Sequence, residues 1–218
     1  MGGTTTTTTT TTTVAAAATA DSNSSRRRSS SHSRSRHPRP HHTHCPRRCF
    51  ASSATAVVVE RGDPLSAEPL LLASHALMES LFPPEDNHFL SLDALRAPDI
   101  RFFVARGDGT GSSGDRILGC GALAVREGYG ELKSMFTDEA ARGRGVASSI
   151  LQTLEGEARA LRLPWLRLET GDRLHAALAF YRGAGFAMRG PFGGYEANET
   201  SRFMEKRLPS KLGCETAQ

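Results

Sequence analysis

Ala141-Arg142-Gly143-Arg144-Gly145-Val146-Ala147 stands between two different periodicities. Before it runs the strand-like Glu131-Leu132-Lys133-Ser134-Met135-Phe136-Thr137. After it, Val146, Ile150, Leu151, Leu154, Ala158 and Leu161 recur at helical spacing, with Glu155, Glu157 and Arg159 expected on the opposite side. Glycines let a backbone approach an anion closely, and the first turn of a helix has N–H groups with no intrahelical acceptor. The helix dipole adds positive potential there, and Arg142 and Arg144 add full charges. The stretch predicts a phosphate or pyrophosphate site at a strand–loop–helix junction.

Its spacing excludes the commoner phosphate loops. No Gly-x-x-x-x-Gly-Lys-Ser/Thr run exists in the chain. Gly143-Arg144-Gly145 is followed by Ser148 where a dinucleotide fingerprint needs a third glycine.

Composition divides the 218 residues near residue 50. Residues 1–50 hold threonines from Thr4 to Thr13, an alanine patch, and clusters of serine, arginine and histidine. Eight arginines against Asp21 give that segment 8 − 1 = +7, and the remaining 19 basic and 22 acidic side chains give −3, which sums to +4. The basic balance belongs to the segment, so it is no ground for reading the rest as a nucleic-acid binder. With so little apolar surface the segment is expected to be disordered. Its arginine- and serine-rich, acid-poor make-up resembles an organelle transit peptide, plastid or mitochondrial, and equally a solvated extension. Met1-Gly2-Gly3-Thr4-Thr5-Thr6 also fits a loose myristoylation pattern, near Cys45 and Cys49. The expected location is cytoplasmic or organellar, not secreted.

No run of 18 apolar residues exists, so no membrane span is expected. Cys45, Cys49, Cys120 and Cys214 do not form a disulfide framework. His41, His42, His44, Cys45 and Cys49 match no closed zinc spacing, and no metal is expected. Cys120, in Leu118-Gly119-Cys120-Gly121-Ala122-Leu123, reads as a small core residue rather than an acyl-enzyme nucleophile.

Residues 51–209 read as one folded domain, with 210–218 a terminal tail. Strands are expected at Ala54–Glu60, Ile100–Ala105, Ile117–Arg126, Glu131–Thr137, Pro164–Thr170, Phe186–Arg189 and Ser201–Leu208. Helices are expected from a Ser66 cap to Leu81, over Ser91–Ala97, from Val146 to Leu161, and around Leu174–Tyr181. A turn-rich loop spans Gly107–Asp115. The order β-α-α-β-β-β-α-β-α-β-β is an α/β domain with a mixed sheet.

Arg142-x-x-Gly145-x-Ala147 resembles the acyl-CoA pyrophosphate loop of the GNAT N-acetyltransferase superfamily, and the element order resembles that fold over about Ala54–Leu208. Leu168-Glu169-Thr170-Gly171 looks like its fifth strand. Ala177-Leu178-Ala179-Phe180-Tyr181-Arg182-Gly183-Ala184-Gly185-Phe186 resembles its A-x-x-x-Y-x-x-x-G-F helix. Pro83-Pro84-Glu85-Asp86-Asn87-His88, Gly190-Pro191-Phe192-Gly193-Gly194-Tyr195 and Ser201-Arg202-Phe203-Met204-Glu205-Lys206 look like a small bacterial-type subgroup. The resemblance implies acetyl-CoA as co-substrate, with pantetheine in a gap between the fourth and fifth strands. It places Met135, Phe136 and Thr137 beside pantetheine, and Arg142, Gly143, Arg144, Gly145, Val146 and Ala147 at the pyrophosphate. Tyr181 is implied as the general acid and the Met135 N–H as the oxyanion donor.

Removing an ammonium proton near neutral pH needs a positioned base. Glu131 is the first candidate and Glu169 the reserve, although an ion pair with Arg167 is a plainer use for Glu169. His88 and Tyr195 are candidate acceptor contacts. Leu174 stands where the family often has Asn or Gln, so an amide contact is missing. The expectation is transfer of acetyl to a primary amine by direct attack, with a small molecule favoured over a peptide amine. A protein N-acetyltransferase and an idle acyl-CoA-binding module remain the alternatives, a homodimer is allowed, and no nucleic-acid partner is expected.

Overall fold

A computed structural model describes residues 57–87, 90–107 and 116–209. The segment before residue 57, its histidine–cysteine cluster, the lipidation pattern, His88, most of the 107–115 loop and the C-terminal tail lie outside the described residues. No described helix is long and apolar enough to cross a membrane.

Among the described residues, seven strands form one sheet in the order β1-β2-β3-β4-β5-β7-β6. They are β1 (Val57–Arg61), β2 (Ile100–Gly107), β3 (Ile117–Arg126), β4 (Tyr129–Thr137), β5 (Trp165–Gly171), β6 (Ala187–Arg189) and β7 (Ser201–Arg207). In this sheet β4 and β5 run parallel, and every other neighbouring pair is antiparallel. The helices are α1 (Glu68–Leu81), α2 (Leu92–Leu95), α3 (Val146–Ala160) and α4 (His175–Gly183). The expected mixed α/β order is therefore the observed one.

Strand alternation sends side chains to two cores. On one face Phe103, Leu123, Leu132, Leu166, Leu168 and Met204 meet Ile150, Leu154 and Ala158 of α3 and Leu178 and Tyr181 of α4. On the other, Phe102, Val104, Cys120, Ala122 and Ala124 meet Ala67, Leu70 and Leu71. Cys120 has no exposed surface, and burial pushes its thiol up to about 12, which suits packing and not nucleophilic attack.

Two local expectations change. The first helical turn is capped by Asp63, not Ser66: Asp63 Oδ1 accepts from the Leu65 N–H at 3.0 Å, and Ser66 Oγ donates back to the Asp63 carbonyl. A 3₁₀ turn at Pro64–Ala67 starts the coil early, since Pro64 suits a first helical position. Glu155 does not face solvent. It is 8% exposed and pairs with Arg159 at 2.6 Å and Lys206 at 2.5 Å, because α3 lies over the face of β7 that carries Lys206.

Strand β4 departs from regular pairing on both of its edges. It pairs with β5 only at Gly130↔Leu166 and Glu131↔Arg167, after which the strands part, while β5 stays paired to β7 through Gly171↔Ser201. Against β3 the register shifts between Cys120 and Ala122, and Ser134 has a φ of 48°. One extra residue in β4 makes a bulge there, which leaves Met135 on the α3 face.

Candidate active site

The parting of β4 from β5 leaves two strand edges, about Leu132–Thr137 and Leu168–Gly171, facing one another without pairing. Backbone N–H and C=O groups at such edges need partners, and an extended ligand can supply them. Met135, Phe136 and Thr137 lie on this stretch, their side chains buried.

At the C-terminal end of β4 a cleft is lined by Thr137, Ala141, Arg142, Gly143, Gly145, Val146, Ala147 and Ser148. Gly143 and Gly145 have φ values of 74° and 80°, a conformation that disfavours L side chains. Gly145 is the N-cap of α3, and no side chain caps that end. The first amides of α3 therefore remain donors without intrahelical acceptors, and an anion in the cleft would satisfy them. Arg142 reaches Glu139 at 3.2 Å through Nη1, while its Nε is buried with no partner. All the loop residues expected at the pyrophosphate border the cleft except Arg144, which is exposed outside it.

Tyr181 projects from α4 into the apolar core with 0% exposure, its ring edge-on to Phe180 and Phe186 at 5.1 and 5.5 Å. Its hydroxyl has no hydrogen-bond partner, and burial pushes its pKa far above the usual phenol value. An orphaned buried hydroxyl costs about 1–3 kcal/mol, so its retention points to an acceptor arriving from outside the chain. Leu174, at the N-cap of α4, packs into the same core.

On the opposite face of the sheet, charged residues are buried together. Glu131 and Lys133 alternate with Leu132, so both leave β4 on this side. Lys133 Nζ lies 2.6 Å from Glu131 Oε1 and donates to Tyr195 Oη at 2.5 Å, while the Tyr195 hydroxyl donates to Glu131. Lys133 is 2% exposed; desolvation lowers its pKa, against the opposing pull of Glu131. Arg126 adds a second, longer contact to Glu131 at 3.9 Å.

Glu169 projects from β5 beside this group and is 1% exposed. Oε1 accepts from Ser201 Oγ at 2.7 Å, and Oε2 is buried without a partner. Desolvation raises its pKa to about 7, with Ser201 and Lys133 pulling down and Glu131 and Asp86 pushing up. Arg167 does not pair with Glu169, contrary to the plainer reading, because it faces Glu205 at 3.4 Å.

The structure thus brings Glu131, Tyr195 and Glu169 together on one face and places Tyr181 on the other, with the open stretch of β4 between. Sequence reading assigned no role to Lys133, Asp86 or Ser201. Lys133 had a signal: a lysine two residues from a glutamate, alternating with apolar Leu132 on a buried strand.

The chain matches the model of the acetyltransferase (GNAT) family over residues 71–186. It is 44% identical over 156 residues to an IAA acetyltransferase of Azospirillum brasilense, covering 70% of this chain and 98% of that protein. A solved structure from Klebsiella pneumoniae, assigned as an acyl-CoA N-acyltransferase, is 30% identical with a TM-score of 0.57, covering 70% of this chain and 97% of its own. The spermidine N-acetyltransferase of Vibrio cholerae, solved with CoA and spermine, shares the fold at 14% identity and a TM-score of 0.51, over 70% of this chain and 95% of its own. The parted strands, the uncapped helix start and these relatives define an acyl-CoA-dependent acyltransferase. The chain belongs to the GNAT acetyltransferase family and is an acetyl-CoA-dependent N-acetyltransferase.

Proposed function

We propose that the enzyme acetylates the primary amine of a small molecule by direct attack, with Glu169 as the base. The observation that carries this is Glu169 Oε2, buried and without a donor, and the same burial raises the carboxyl's pKa to about 7. Glu131, the first candidate from sequence, has Oε1 engaged by both Lys133 and Tyr195, while its Oε2 faces Arg126 at 3.9 Å. It is the carboxylate partner that opposes the desolvation of Lys133 inside the fold.

Acetyl-CoA supplies an acyl thioester. The Arg142–Ala147 turn and the start of α3 fit its pyrophosphate: two left-handed glycines, bare helix amides and an unpartnered Arg142 Nε converge on one cleft. The unpaired edge of β4 suits its pantetheine arm, and the Met135 N–H is the proposed donor to the thioester oxygen. The entering ammonium gives one proton to Glu169, the neutral nitrogen forms the new C–N bond, and the C–S bond breaks. The nitrogen's second proton ends on sulfur, giving the free thiol. Tyr181 donates a hydrogen bond to that sulfur; burial keeps its phenol protonated throughout the working pH range. A domain of this size without a peptide-docking insertion favours small acceptors.

The test is thiol release from acetyl-CoA against a panel of amino acids, aralkylamines, polyamines and peptides. Expected is turnover of at least one small amine, reduced about 10²–10⁴-fold in Glu169→Gln. Turnover confined to peptides, or unchanged in Glu169→Gln, rejects the reading.

A further inference from the structure

Thr200 and Ser201, at the start of β7, tie three acidic residues to one point. Thr200 Oγ1 donates to Asp86 Oδ2 at 2.8 Å, the Thr200 carbonyl accepts from the Asp172 N–H at 2.7 Å, and Ser201 Oγ donates to Glu169. Asn87, next to Asp86, spends its amide nitrogen on the Phe82 carbonyl at 3.1 Å. On residues tied to this hub, or next in sequence to one that is, three buried oxygens have no donor: Asn87 Oδ1, Glu169 Oε2 and Asp172 Oδ1. All three are acceptors, so whatever completes the site brings hydrogens and not lone pairs.

The neighbouring cations are already used. Lys133 is held by Glu131 and Tyr195. Arg202 donates to the Glu199 and Ser201 carbonyls and faces Asp172 at 3.6 Å, and Arg173 donates to the Leu81 carbonyl. A carboxylate entering here meets three acidic side chains, and of these cations Arg173, which is exposed, is the one that no described carboxylate pairs. An ammonium group, with three donors and a positive charge, fits the same place on both counts.

We propose that the acceptor is recognised as an ammonium ion by Asp86, Asn87, Glu169 and Asp172, and that this cluster selects amines bearing no carboxylate on the carbon next to nitrogen. This inference rests on the acetyl-transfer reading for its chemistry, but the recognition can be measured without transfer.

The test uses matched pairs: phenethylamine with phenylalanine, tryptamine with tryptophan, histamine with histidine. Calorimetry on the full chain without acetyl-CoA reads binding, and thiol release reads turnover. The expected result is at least tenfold tighter binding, and at least tenfold higher kcat/KM, for the amine of a pair. Asp86→Asn should weaken amine binding about tenfold while leaving acetyl-CoA binding within twofold, which shows that the variant is folded. Equal or tighter binding of the amino acids overturns the proposal, as does failure of every member to bind, or an Asp86→Asn variant that binds amines normally. If amines bind selectively but no thiol is released, the recognition stands and the acetyl-transfer reading falls.

Discussion

Glu131 and Glu169 are both buried carboxylates on neighbouring strands near the same lysine, and they differ in what compensates their burial. Glu131 sits 2.6 Å from a lysine that is itself 2% exposed. Glu131→Gln leaves that lysine buried without its carboxylate, a change expected to cost about 3–5 kcal/mol. Replacing both partners in Glu131→Gln/Lys133→Met should recover most of it, read from urea midpoints. Glu169 behaves in the opposite way. Its folded pKa of about 7 lies above the ordinary 4.5, so the folded state binds the proton more tightly. Below about 4.5 both states are protonated and nothing is lost; between 4.5 and 7 stability falls as pH rises, and above 7 the full cost of about 3 kcal/mol is present. Glu169→Gln should therefore melt near wild type at pH 4.5 and above it at pH 8, while losing activity. In wild type, the same carboxyl must be ionised to accept a proton, so kcat/KM should rise through pH 7 and flatten above it. A melting-temperature difference that does not grow with pH removes the basis for Glu169 as the base. Tyr181→Phe is the parallel case, removing an unpartnered hydroxyl: stability is kept or raised while kcat falls.

At the scale of elements, the junction of β4, its bulge and α3 is the proposed site of the thioester carrier, and its parts should fail differently. An added Cβ on Gly143 or Gly145 meets nothing within 4 Å, so the obstacle to a side chain there is backbone conformation alone. Gly145→Ala should cost about 1–2 kcal/mol of stability and raise the KM for acetyl-CoA, with kcat on saturating substrate little changed. Arg142→Ala should raise the same KM without the stability loss. Steady-state kinetics beside urea unfolding separates the two. Most of this junction was legible, because a glycine pair between a period of 2 and a period of 3.6 has few structural solutions. Strand positions were read to within two or three residues for the same reason of alternation. What was not legible depended on distance along the chain. The bulge at Ser134 leaves no mark in composition, since serine carries no strong preference for φ of 48°. Tyr195 reaches Lys133 and Glu131 across more than sixty residues of chain. That Glu131 has Tyr195 and a buried lysine on one oxygen while Glu169 Oε2 has no donor depends on the packing of β4 against the loop before β7.

At the scale of the molecule, the charge balance changes sign near residue 50, shortly before the first described strand. Among the described residues the core starts with β1, whose Val57 and Val59 pack against the α3-face cluster and whose five residues pair with Gly107–Phe103 of β2. Arg61 also faces Glu157 of α3 at 3.8 Å and lies over the Phe103 ring. The family match begins only at residue 71, yet the sheet is not complete without these five residues. A chain starting at residue 51 sheds a segment of charge +7 and keeps every described contact of the domain. It should retain kcat/KM for acetyl-CoA within about twofold at moderate salt, where long-range steering by distant arginines is screened. A chain starting at residue 62 exposes the β2 edge and uncovers the core neighbours of Val57 and Val59. Two partly buried valines and a strand's worth of pairing are lost, and each buried aliphatic side chain contributes about 1.5–3 kcal/mol at most. Since whole domains are stable by about 5–15 kcal/mol, that truncation should unfold at markedly lower urea concentration and aggregate through the bared edge. Equal urea midpoints for the two truncations would mean that β1 is an ornament on the fold, and the domain boundary would then move to the start of α1.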